Sequence, residues 1–110
     1  MAWLVRGGDV LAAADVVRGR RARMHGLTGR TSIEGALVIP KCRQVHTLGM
    51  KFAIDVAFCD REGVVVRTAS LRPWRLSTIV WRADFVIEAE AGAFERWRLT
   101  LGDVVELKGE

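Results

Sequence analysis

Proline, cysteine and long apolar runs are all scarce in this chain, and each scarcity narrows what it can be. Two prolines in 110 residues, within a composition that is half hydrophobic, describe a folded globule and not a disordered tract. Two cysteines, Cys42 and Cys59, are too few for a secreted disulfide scaffold and read as reduced, buried thiols. No stretch reaches the roughly 7–15 apolar residues of a secretory leader or the roughly 20 of a membrane helix. The expectation is a cytoplasmic protein without membrane insertion. Repeats, linkers and low-complexity tracts are missing, so residues 1–110 read as one domain. At that length about two-thirds of the unfolded surface is buried, enough to fold without a metal or disulfide framework.

The charge that is present is uneven. Residues 1–51 carry nine Lys/Arg against Asp9, Asp15 and Glu34, a balance of +6, whereas residues 52–110 carry eight against ten acids. A basic half attracts anionic partners, or its arginines merely solvate a helix face.

The order of patterns predicts an α+β fold, mostly β. Trp3–Arg6, the Gly7-Gly8-Asp9 turn and Val10-Leu11 read as a hairpin. Asp15 is positioned to cap a helix of about a dozen residues. On it Val17, Met24 and Leu27 share one arc, Arg18, Arg21 and His25 form a second stripe, and Gly26 or Gly29 ends it. Ala36–Ile39, closed by Pro40, reads as a buried strand, and 41–51 as an irregular one. In 52–59, Phe52, Ile54, Val56 and Phe58 alternate with Ala53, Asp55, Ala57 and Cys59, the pattern of a strand. An Asp60–Gly63 hairpin loop leads into Val64–Ala69, and Leu71–Arg75 is a loop broken by Pro73. A strand over 85–90, a helical turn at 93–97 and a last strand over 104–107 complete the reading. About six strands with hairpin connections imply an antiparallel or mixed sheet curled into a partial barrel, with one helix in the N-terminal half.

Asp55 is the sharpest single signal. Aspartate suits a strand interior poorly, and here it lies between Ala53 and Ala57. A buried carboxylate needs hydrogen-bond donors or a cation. Backbone amides or Thr47 would satisfy it, as would a ligand. His46 with Asp55 or Glu88 would make a general acid–base pair for a small hydrolase or lyase. No nucleophile accompanies them, for Thr47 and Cys42 sit in no elbow motif. Cys42, His46 and Met50 recur every four residues, a set whose ligand types suit Cu(I) if the strand is regular. Core packing by Cys42 and Met50 is the simpler reading, and no metal or cofactor is expected.

For nucleic acid the relevant side chains are Arg18, Arg20, Arg21, Arg23 and Arg30, joined by Lys41 and Arg43, with Trp74 or Trp81 to stack on bases. No helix-turn-helix, RNP or zinc-finger pattern goes with them, which leaves only nonspecific contact. Arg72-Pro73-Trp74-Arg75 is the best surface-recognition loop, since tryptophan and arginine anchor interfaces and proline lowers the ordering cost. The alternative is Trp74 folded back over the barrel end.

Gly26-Leu-Thr-Gly-Arg30, then Cys42-x-x-Val45-His46-Thr47-x-x-Met50-x-Phe52-x-Ile54-Asp55, resembles the domain of unknown function 192 family. Leu71–Arg75, Val86-Ile-Glu88 with Gly92, and Gly102-Asp103 continue the likeness in order. Arg20 and Arg21 stand where that family often has aromatic or apolar residues, Ala53 replaces a usual proline, and Glu90 a frequent one. The resemblance implies a small β-rich fold with one helix and implies no activity. Members of this size in actinobacteria often lie near genes for tight-adherence pili and related secretion systems, which would make such a component a partner.

These readings converge on a noncatalytic domain that binds a small molecule or a protein. Its expected cleft lies near Thr47, Met50, Asp55 and Glu88, with Arg72 and Trp74 on the rim.

Overall fold

The structure, a computed structural model, describes residues 2–17 and 33–109. Seven strands and one short helix are found among them: β1 (Ala2–Arg6), β2 (Asp9–Val16), β3 (Ala36–Pro40), β4 (Ile54–Cys59), β5 (Val65–Leu71), β6 (Phe85–Glu90), α1 (Ala93–Trp97) and β7 (Glu106–Gly109). The strands form one mixed sheet in the order β5-β4-β6-β3-β2-β1-β7, in which only β2 and β3 run parallel.

The first hairpin forms as read, with Arg6 opposite Asp9 across Gly7-Gly8 and a bulge between Leu4 and Val5. Its second strand runs much further than Val10-Leu11. Asp15, expected to cap a helix, instead lies in β2 opposite Leu37. The alanines at 12–14 favour helix intrinsically, but β2 pairs with β1 on one side and β3 on the other, and that pairing overrides the local preference. The first residues of the expected helix are extended instead: Val16 ends β2, and Val17 N–H donates to Val38 O (2.8 Å) with its side chain in a buried cluster. The rest of that helix, with its arginine stripe, lies outside the described residues.

Alternation holds across β4. Ile54, Val56 and Phe58 pack into one buried cluster, whereas Ala57 and Cys59 pack into another on the opposite face. Phe52 and Ala53 precede the strand and are not part of it. Every residue of β4 is buried, so both faces of the central sheet are covered.

The two clusters differ in reach. One draws Leu4 from β1, Ala14 from β2, Val65 from β5 and Val105 ahead of β7, together with Phe94 of α1. Such a set spans the sheet from edge to edge and is the concave side of a curl. The other holds Leu37, Ile39, Ile54, Val56 and Val86 of the three central strands under Val45, Met50 and Ala83. That side is convex.

The curl brings opposite edges together at one corner. Val64 bridges Val104, Val65 N–H donates to Asp103 O (2.8 Å), and Val105 N–H donates to Gly63 O (2.9 Å). A Cβ at Gly63, where φ is +85°, would run into Val105 O, so only glycine permits this approach. The expected last strand at 104–107 starts late for this reason. Val104 and Val105 are taken by the far edge, and pairing with β1 begins at Glu106. The curl is therefore partial, since the ladders do not close. At the far end of that pairing Ala2 lies opposite Gly109.

Candidate binding surface

On the convex side, 43–47 and 75–80 run antiparallel as an irregular ribbon outside the sheet. Thr47 N–H donates to Arg75 O (2.8 Å), Ser77 N–H to Val45 O (2.9 Å) and Val80 N–H to Arg43 O (2.8 Å), and His46 bridges Leu76. Side chains alternate across such a ribbon. Val45, Thr47 and Ser77 are buried, while His46 and Leu76, being bridge partners, share the outward face.

Thr47 is the fastener. Its hydroxyl donates to Arg72 O (2.6 Å) and accepts from Arg75 N–H (2.8 Å), while its carbonyl accepts from the amides of Trp74 (2.9 Å) and Met50 (3.1 Å). This holds Trp74 in the left-handed region at φ +63°, an uncommon place for a bulky side chain. The Arg75 guanidinium closes the same loop on the carbonyls of Trp74 (3.2 Å) and Pro73 (3.4 Å). Trp74 is thus held out and not folded back.

It is not alone. Leu48 (45% exposed), Trp74 (64%), Leu76 (63%), Ile79 (44%) and Trp81 (72%) all lie on 41–53 and 71–83. Those two segments also carry Lys41, Arg43, Lys51, Arg72, Arg75 and Arg82, all exposed, and not one acidic residue. The ion pairs among the described residues lie elsewhere, at Arg6–Asp103, Arg96–Glu90 and Lys108–Glu106. A shallow depression of about 250 Å³ between Lys41, Arg43 and Ala83 is bordered by Asp84.

The other expected residues do not gather. Asp55 faces the concave side with Ala57 and is opposite Ala89 on β6. Its Oδ2 accepts from Gly92 N–H (2.9 Å) and Phe94 N–H (3.2 Å). Gly92 occupies the N-cap of α1 and has no side chain to cap it, so Asp55 supplies the cap from a distant strand. Glu88 is opposite Val56 and Leu37, which puts it on the convex face. It is 4% exposed, and no described residue hydrogen-bonds or pairs with its carboxylate. Burial pushes that carboxyl from 4.5 up to about 7.

Asp55 and Glu88 therefore lie on opposite faces of the sheet, and His46 points outward from the ribbon whose inner side packs over Glu88's layer. The expected cleft joining Thr47, Asp55 and Glu88 is not assembled, nor is the His46 acid–base pair. His46 Nδ1 accepts from Leu48 N–H (3.2 Å). The Cys42–His46–Met50 set also disperses, because the Leu48-Gly49 turn breaks the strand regularity that it required. Met50 is buried in the convex cluster, and Cys42 packs against it with Sγ–H directed at Gln44 O (3.2 Å). Burial, and secondarily Asp60, push the Cys59 thiol up to about 12, so it stays protonated and inert.

Sequence reasoning singled out Trp74 and Arg72 but missed Leu48, Leu76 and Ile79. The exposure of Leu76 depends on the ribbon's alternation, which no periodic pattern announces, while Leu48 lies in a turn and Ile79 is exposed despite sharing the parity of buried Ser77. The absence of acids from both segments was a readable signal.

A family model described as DUF192, Uncharacterized ACR, COG1430, matches residues 3–107. The chain belongs to the DUF192 family. A UPF0127 protein of Pyrococcus abyssi is 39% identical over 62 residues, 56% of this domain and 53% of that protein. One from Pyrococcus furiosus is 36% identical over the same shares. The DUF192 chain thus matches about half the length of these archaeal relatives. A crystal structure of a protein of unknown function from Novosphingobium aromaticivorans shares the fold, with a TM-score of 0.80 at 19% identity over 96% of this chain and 82% of that one. No helix among the described residues of the DUF192 domain is long and apolar enough to cross a membrane.

Proposed function

We propose that this DUF192 chain is a noncatalytic binding domain that works through the outward face of the 43–47/75–80 ribbon and takes an anionic partner. The observation that carries the reading is a pair of neighbouring segments, 41–53 and 71–83, with five exposed large apolar side chains, six exposed cations and no acid within them, Asp84 being the first acid at their border. Apolar anchors supply contact area, and a one-signed rim steers an oppositely charged partner. Against an enzyme stands the separation of His46, Asp55 and Glu88. Nothing on the described residues speaks for a pilus or secretion component, and the reading does not include one.

The test is retention on immobilised heparin at low salt. The full chain is expected to be retained and to elute on raising salt. Arg72→Glu/Arg75→Glu should elute markedly earlier, while the equal charge change Arg61→Glu/Arg67→Glu, outside the two segments, should shift elution much less. Equal shifts from both pairs would mean that only net charge matters, and the reading would fail.

A further inference from the structure

Resting on that reading, we infer that the partner of the ribbon is the surface of an anionic lipid bilayer. Three features select lipid over other polyanions. First, Trp74 and Trp81 both lie in turns, at either end of the outward strip, and both protrude. From Trp74 to Val80 an extended chain covers roughly 20 Å, so the anchors can rest together on a flat boundary. Tryptophan is favoured at that boundary because its ring is apolar with one polar edge. Second, Leu48, Leu76 and Ile79 offer no ring for a nucleobase to stack on, yet they bury readily among acyl chains. Third, lysine is depleted from protein interfaces, whereas these segments carry Lys41 and Lys51 beside their four arginines, with no acid within them. An excess of positive charge, six cations against Asp84 at the border, is the complement of an anionic headgroup layer.

The Thr47 clasp gives the arrangement rigidity. It fixes the backbone on both sides of Trp74, so the indole is presented without first being ordered by the membrane. The contact is peripheral: the side chains reach the headgroup–acyl boundary and the sheet stays outside.

Co-sedimentation of the full chain with vesicles of equal parts phosphatidylglycerol and phosphatidylcholine tests the inference. Binding is expected, with none to pure phosphatidylcholine, and it should weaken as salt rises. Trp74→Ala/Leu76→Ala should lower partitioning roughly tenfold, and Arg72→Glu/Arg82→Glu by at least as much. Arg61→Glu/Arg67→Glu should change it far less. Equal binding to neutral vesicles, or anionic binding that ignores both ribbon variants, overturns the inference. A single-stranded oligonucleotide held through Trp74 and Trp81, with no vesicle binding, overturns it in favour of nucleic acid. Ribbon-dependent heparin retention without vesicle binding defeats the lipid inference alone and leaves the broader reading standing.

Discussion

The concave and convex faces of the central strands each bury one carboxylate, and they treat it in opposite ways. On the concave face Asp55 receives two backbone N–H groups and completes a helix that lacks its own cap. On the convex face Glu88 sits one strand away among Leu37 and Val56 with no donor from the described residues. The two stand alike in the sequence, as acids in apolar strands. Partner geometry separates them: a buried charge with donors stabilises the fold, and one without donors holds its proton to higher pH.

The contrast breaks most severely at Asp55. Asp55→Ala leaves two amides at the start of α1 unpaired, one of them buried, and should cost about 3–4 kcal/mol in urea denaturation. Asp55→Asn keeps one acceptor and should recover part of that. A loss under about 1 kcal/mol in the alanine variant would show the cap to be dispensable.

Glu88 should respond to pH and not to lost contacts. Its carboxyl rises from 4.5 to about 7 on folding, so the folded chain binds the proton more tightly than the unfolded one. Its contribution is fully present below about pH 4.5 and is lost as pH climbs through 7, amounting to about 3 kcal/mol across that window. Glu88→Gln should lack this decline. Subtracting its stability profile from that of the wild type isolates the effect, and a flat difference between pH 4.5 and 8 would contradict it.

The smallest effect sharpens the comparison on the convex side. Thr47→Val keeps the shape of the side chain but removes the hydroxyl that serves Arg72 O and Arg75 N–H. A loss of about 2 kcal/mol is expected, with faster proteolysis in the 72–75 loop while the rest of the chain stays protected. Uniform protection across that loop would mean that the clasp is not what holds it.

Much of the fold was legible because alternation and turn residues report on neighbours close in sequence. Phe85–Glu90, the Ala93–Trp97 helical turn and the Asp60–Gly63 loop emerged as expected. Asp15 misled because its own partner in the sheet, Leu37 of β3, lies more than twenty positions away. The candidate site was less legible for a related reason. Which way His46 or Leu76 points follows from a register between 43–47 and 75–80 that neither segment encodes alone. Asp55 announced its need for a partner, and the amides that meet it lie nearly forty residues downstream.

The pairing of Ala2 with Gly109 has a topological consequence. Cross-strand partners lie only about 5 Å apart, so the two described ends of the chain meet at one point on the sheet rim. A short linker could join them without disturbing β1 or β7, and a new opening at the exposed Arg61-Glu62 turn would reorder the strands in sequence while leaving their order in space. Equally, the segment from Ala2 to Gly109 leaves the sheet beside the point where it enters, a geometry that suits insertion into a surface loop of another protein.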